Sequence, residues 1–218
     1  MRQDARENRQ RILAAADHVF GTRGEAGSTE DVARLAGVGI ATVFRHFPTK
    51  EALIEAALVR HFTDLHDQTQ AAIAAPDPTA ALHALIRQMI ERGANKLTLA
   101  SMLGRDAPPA VVTASEQVKA AVDTALRRAQ AAGSVRPDVG VEELYLLIRG
   151  LAQTTAAAPV PAAVLERAVD VVLTGFAADG SPGTGTGGTR RPAPPDRPAT
   201  ETSGARHPPP PDRPAAGP

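Results

Sequence analysis

Gly37 lies between two short amphipathic stretches, and that arrangement constrains the fold more than any other feature of the chain. Ser28, with Asp31 three residues on, resembles a capping box in which aspartate replaces the usual glutamate or glutamine, and so predicts a helix start. The helix that follows is expected to bury Val32 and Leu35. Glycine at 37 permits a left-handed turn, and a further helix runs from Gly39 or Ile40 to His46 before Pro48 stops it. Thr49 caps the next helix, whose buried face carries Leu53, Ile54, Ala57 and Leu58. Upstream, Ile12, Ala15, Ala16, Val19 and Phe20 mark the buried side of a first helix that Gly21 and Gly24 are expected to end.

The same 3.6-residue periodicity extends from Arg6 to Gly175, with no alternating run bounded by turn residues, so the predicted fold class is all-α. Pro76-Asp77-Pro78 separates the first region from a second, in which Leu82, Leu85, Ile86 and Met89 open a new helix. Another begins at Asp106 to Pro109, buries Val118, Val122, Ala125 and Leu126, and ends near Gly133. Two last helices follow, one with Leu144, Leu147, Ile148 and Leu151, the other opened by Pro161 with Val164, Ala168, Val171, Val172 and Phe176. Their apolar stripes are broad enough to suit a four-helix interface between two copies. After Ala178 no Phe, Tyr, Trp or branched aliphatic residue occurs, and Pro-Asp-Arg-Pro appears twice, so residues 179–218 are expected to be a disordered tail. The expected domains are 1–65, with the helix-turn-helix at about 28–47, and 66–178.

A 43% hydrophobic content over 218 residues suffices for two small helical domains. Zero cysteines exclude disulfides and thiolate metal sites. No apolar N-terminal segment follows Met1 and no apolar run approaches the ~18 residues of a membrane span, so a cytoplasmic protein without membrane contact is expected. The formal net charge is +0, which gives no hint of a nucleic acid. Locally the sign differs, because between Leu35 and Lys50 the charged residues are Arg45 and Lys50, both positive.

A two-helix unit with that local charge suits a DNA groove. Val38, Val43 and Phe47 would lock the second helix against its neighbours, leaving Ile40, Ala41, Thr42, Arg45 and His46 as groove-facing candidates. Gly39 and Ala41 allow close approach. Arg45 can fork to guanine or a phosphate, Thr42 can meet a phosphate or a thymine methyl, and Ile40 supplies apolar contact. Thr29 and Lys50 stand at helix starts, where backbone N–H groups attract phosphate.

Arg11-Ile-Leu-Ala-Ala-Ala with Val19-Phe20, Asp31-Val-Ala-Arg-Leu-Ala-Gly-Val, and Thr42-Val-Phe-Arg-His-Phe-Pro-Thr-Lys-Glu-Ala-Leu53 resemble the N-terminal domain of the tetracycline-repressor (TetR) family of bacterial regulators. The resemblance covers about Arg6 to Leu65. It implies an all-helical homodimer with a three-helix DNA-binding domain and a larger effector-binding domain, in most members a repressor released by a small molecule. Serine, lysine and glycine are usual in the family where this chain has Gly39, Ile40 and Ala41, and tyrosine where it has Phe44. Losing the lysine and the tyrosine hydroxyl removes two potential phosphate contacts, so binding is expected to lean on Arg45, His46, Lys50 and Thr29, with Phe44 keeping only part of the tyrosine's role.

The second region resembles the family in its architecture and in the turn from Gly133 to Gly140 before Glu142. Its ligand does not transfer. Met89, Leu99, Met102 and Leu103 are candidate apolar lining, while His83, Arg92, Asn95, Tyr145, Arg149 and Gln153 could orient a small-molecule effector. Gly150 suggests a close helix contact that fits a dimer or a pocket equally. Enzyme chemistry finds no support: His61 and His66 are five apart and read as surface residues, not a metal pair. The glycine-rich match at Gly183 to Gly188 follows no strand, and no catalytic or cofactor-binding set is predicted. The expected partners are a double-stranded DNA operator, a small-molecule effector and a second copy. A helical ligand-binding protein that has abandoned DNA is the alternative.

Overall fold

The computed structural model describes residues 2–104 and 106–178, and the expected tail lies outside the described residues. The described chain is helical: α1 Arg2–Arg23, a 3-10 turn Gly24–Ala26, α2 Thr29–Ala36, α3 Ile40–His46, α4 Lys50–Ala74, α5 Pro78–Met102, α6 Pro109–Ala131, α7 Val141–Ala157 and α8 Ala162–Phe176. Among the described residues the extended pairing is an isolated bridge, Val135 with Ala177, which ties the end of α8 to the α6–α7 turn.

Local chemistry sets most helix ends. The Ser28 hydroxyl accepts from the Asp31 N–H at 3.1 Å and donates to the Asp31 carboxylate at 3.0 Å, closing the start of α2. Gly37 takes φ 64°, the left-handed turn that a side chain would disfavour. Thr49 accepts from the Ala52 N–H at 3.1 Å, and Asp77 caps α5 with Pro78 in its first turn. The first helix departs from expectation, for it runs through Gly21 to Arg23 and only then gives way to the turn at Gly24. Gly21 is buried against Asn95 of α5.

Helix α1 packs on α2, α4 and α5. Ile12, Ala16 and Phe20 are fully buried together with Val32 of α2, Val43 of α3 and Leu53 of α4. Each large apolar side chain so enclosed contributes about 1.5–3 kcal/mol relative to exposure. Leu35 does not join them, being 55% exposed, because α2 turns Ala33 and Ala36 inward instead. In the remaining helices α4 packs on α6 and α5 on α7. Leu144 and Ile148 of α7 are buried, as are Val169, Leu173 and Phe176 of α8. The expected stripe positions Leu147, Val164 and Val171 are exposed at 41%, 44% and 72%. They form an apolar surface on α7 and α8 rather than core.

Within the protomer the close helix contact sits at Gly93. A Cβ at Gly150 would meet nothing within 4 Å, whereas one at Gly93 would lie 2.5 Å from the Cβ of Ala152. Gly93→Ala should therefore lower stability by roughly 1–3 kcal/mol through overpacking. Adding Ala152→Gly should restore most of the loss. Urea denaturation of both variants checks this, and a Gly93→Ala protein as stable as wild type would show that α5 and α7 yield freely at this point.

Candidate nucleic-acid interface and ligand cavity

Two features of α3 determine what it offers. Its inner side is closed, with Val43 and Phe47 buried and Val38 packed behind them. Its outer side carries Ile40 at 36% and Phe44 at 43% exposure, with Gly39, Ala41 and Arg45 also exposed and Thr42 and His46 half-buried. Arg45 makes no hydrogen bond or ion pair with any described residue. Of the two acids on α2, Asp31 pairs with Arg34 at 2.9 Å and Arg23 at 3.2 Å, while Glu30 is exposed and accepts from the Thr29 hydroxyl. The Ser28 hydroxyl foremost, and those arginines after it, hold the Asp31 carboxyl below its usual range. The face therefore presents apolar side chains and an unpaired cation without an opposing free carboxylate on the same helix.

The flanking candidates divide. Thr29 opens α2 half-buried, with its hydroxyl donating to Glu30 at 3.3 Å. Lys50 is more constrained than expected: its ammonium donates to the Gly27 and Glu25 carbonyls at 2.7 and 3.3 Å and lies 5.2 Å from the Phe20 ring centroid. It ties the start of α4 to the 3-10 turn, and one of its three donors remains for a phosphate. Two further cations, missed in the sequence, flank the unit. The Arg9 guanidinium stacks 5.1 Å from the Phe47 ring centroid, and the Arg11 guanidinium reaches the Gly37 turn, 3.8 Å from where a Cβ would stand. Both lie on the N-terminal half of α1, whose run of arginines was the available signal.

A cavity of about 410 Å³ lies among α4, α5, α6 and α7. Of the expected lining, Met89, Tyr145 and Arg149 are there. The other predicted residues serve elsewhere. Leu99 is core, Met102 and Leu103 pack against it, and Asn95 is spent on Gly21. Arg92 and Gln153 are exposed, and His83 is half-buried outside the cavity. Burial first, and Arg87 second, lower the His83 pKa. Phe62 and Leu65 from α4, Lys96 from α5, Glu116 and Lys119 from α6 and Glu142 from α7 also line it, and the sequence reading missed all of them. The Lys119 ammonium and Glu142 carboxylate pair at 2.5 Å. The Tyr145 hydroxyl is buried with no partner among the described residues, and burial raises its pKa above the ordinary phenol value.

Among the described residues no helix is long and apolar enough to cross a membrane, and no group of three or more potential metal ligands occurs. A helix-turn-helix with a solvent-facing second helix, followed by a cavity-bearing helical bundle, defines a two-part regulator of the helix-turn-helix class. Residues 12–57 match the family described as bacterial regulatory proteins, tetR family, and residues 77–178 match the C-terminal domain described as transcriptional regulator SbtR-like. The TetR transcription regulatory protein from Mycobacterium vanbaalenii is 33% identical, with 81% of this chain and 99% of that chain covered at a TM-score of 0.68. SCO0520 from Streptomyces coelicolor is 35% identical over 78% of this chain and 99% of that one, with a TM-score of 0.67. The HTH-type transcriptional repressor LfrR of Mycolicibacterium smegmatis is 38% identical over 81 residues, 37% of this chain and 38% of that protein. The chain spans less than two thirds of the length of the curated relatives it matches. The chain belongs to the TetR family of bacterial regulatory proteins.

One titration links the two parts. His61 of α4 is half-buried, not the surface residue expected, beside Asp17 of α1 and Arg92 and Lys96 of α5. Burial foremost lowers its pKa from 6.5, Asp17 opposes the shift, and the two cations add to it. The folded protein thus holds His61 neutral while the unfolded chain takes up a proton near pH 6.5. Its contribution is complete above that pH and is lost as pH falls through 6.5 towards the lower folded pKa. The melting temperature of His61→Gln should fall less steeply on acidification through this window than that of wild type; parallel curves would mean that His61 is not held neutral.

Proposed function

We propose that the protein is a dimeric, ligand-responsive repressor that binds a palindromic DNA operator. Residues 1–65 serve as the reader and residues 66–178 as sensor and dimer interface. The observation that carries the reading is α3 itself: Val43 and Phe47 are buried, while Ile40, Phe44 and Arg45 face outward and Arg45 lacks a partner among the described residues. Arg45 is the base-reading candidate, Phe44 and Ile40 offer apolar contact to thymine methyls, and Arg9, Lys50 and Thr29 position the unit on phosphates. Cytoplasmic action on DNA follows from the same role. Ligand binding in the cavity would favour one arrangement of the sensor helices and move the paired α3 helices out of register with half-sites about 34 Å apart.

A second reading, a helical ligand-binding protein without DNA affinity, is favoured by Ile40 and Phe44, which bring no charge or hydroxyl to the positions they fill. Selection from a randomised duplex pool separates the two. Recovery of a palindrome supports the repressor, and failure to enrich any sequence supports the rival. On the recovered duplex, Arg45→Ala should relax preference at one position per half-site by roughly 1–3 kcal/mol. Lys50→Ala should weaken all sequences alike and shallow the salt dependence. Unchanged binding by both variants would remove the proposed surface.

The partner copy is expected on α7 and α8, where Leu147 and Val171 are exposed in the protomer at 41% and 72%. A protein carrying Leu147→Asp and Val171→Asp should keep its helical content and sediment as a monomer. A wild-type monomer at micromolar concentration would overturn the dimeric mechanism.

A further inference from the structure

Lysine is scarce in this chain, occurring at positions 50, 96 and 119 among 24 lysines and arginines. Lys50 is committed to carbonyls near the reader, and the other two both line the cavity. They differ in state. Lys119 is neutralised by Glu142 at 2.5 Å, whereas the Lys96 ammonium makes no hydrogen bond or ion pair with a described residue and rests 5.5 Å from the Phe62 ring centroid. Arg149 lines the same cavity, also without such a partner, and the buried Tyr145 hydroxyl has none. Burial pushes the Lys96 pKa below the usual lysine value, and Arg149 pushes it the same way.

These groups share one property: an ammonium and a guanidinium donate hydrogen bonds and accept none, and a phenol with a raised pKa stays protonated and can donate. Lys96 is partly desolvated and repelled by Arg149, an exposed cation on the rim, and that cost falls when an anion joins them. Phe62, Leu65 and Met89 supply apolar lining, with the Phe62 ring beside the Lys96 ammonium. Glu116 and Glu142 also line the cavity, so the excess of cations over carboxylates is one, from Lys96, Lys119 and Arg149 against the two glutamates. That balance suits a single negative charge and disfavours a polyanion.

We infer that the cavity takes a small amphipathic monoanion, its acid group held by Lys96, Arg149 and the Tyr145 hydroxyl and its apolar body laid against Phe62, Leu65 and Met89. The inference rests on the reading of the cavity as the sensor site. It narrows the effector class to weak organic acids that are ionised near neutral pH.

The test is calorimetric titration at neutral pH of two matched sets, octanoate, octanol and octylamine, and naphthoate, naphthol and naphthylmethylamine. At least one acid should bind about tenfold or more tightly than its neutral partner, as expected when charge-assisted hydrogen bonds replace neutral ones, with the amines weakest. Lys96→Met should erase the preference for the acid while keeping affinity for the neutral compound. Tyr145→Phe should weaken the acid several-fold without lowering the melting temperature, since the hydroxyl lost has no partner to forfeit. Neutral compounds binding as well as the acids, a preference that survives in both variants, or no binding by any of the six would each overturn the inference. Titrations repeated with the selected duplex separate it from the repressor reading. An acid that binds but leaves DNA affinity unchanged overturns the release mechanism alone. Release by the alcohols or amines and not the acids overturns the monoanion alone.

Discussion

The structure depends on one helix being buried along several sides at once. Ile12, Ala16 and Phe20 of α1 are fully enclosed, and α1 meets α2 on one flank and α4 and α5 on the others. A two-turn helix such as α3 has no stability of its own, because helix nucleation is costly and seven residues recover too few hydrogen bonds. It holds its position because Val43 and Phe47 are buried in the common core and α3 packs on α2. Lys50 completes the enclosure by clamping two carbonyls of the 3-10 turn while its charge lies over the Phe20 ring. The same α1 reaches the second half of the described chain through Gly21, which adjoins Asn95 of α5. Reader and cavity are therefore built on a shared core.

Two polar groups of the cavity, Lys96 and the Tyr145 hydroxyl, have the opposite character. A core satisfies its donors, and Thr69, the fully buried polar residue of α4, does so by donating to the Leu65 carbonyl at 2.7 Å. Lys96 and the Tyr145 hydroxyl forgo that compensation. Groups that cost stability in this way are most readily understood where a function selects them, since an apolar replacement of similar size would pack with less penalty.

Features set by neighbouring residues were legible in the sequence. Ser28, Gly37, Thr49 and Asp77 with Pro78 each fixed a helix boundary because caps and turns are decided within four residues. The outward set on α3 followed from periodicity once Val43 and Phe47 were placed inside. Periodicity names an apolar face but not what covers it: Leu35, expected in the core, is exposed, and Leu147 and Val171, on stripes expected to suit an interface between two copies, are exposed in the protomer. The cavity was the least legible part. Its walls come from four helices, and only Met89, Tyr145 and Arg149 were anticipated. Lys96 was passed over although lysine is rare here, and Gly93 was not singled out, because sequence cannot say which helical glycine faces a neighbour within the protomer.

Helix α4 runs unbroken for 25 residues, about 37 Å at 1.5 Å per residue. Its first residue is Lys50, and Phe62 and Leu65, twelve and fifteen residues on, border the cavity. The arm between those points is roughly 20 Å, so a tilt of about 5° at one end carries the other by about 1.7 Å. A hydrogen bond tolerates only about half an ångström of stretch before its geometry fails. In the proposed mechanism an unbroken helix of this length would serve as a lever, and leverage, more than tightness of binding, would set the smallest change in cavity width that the far end registers.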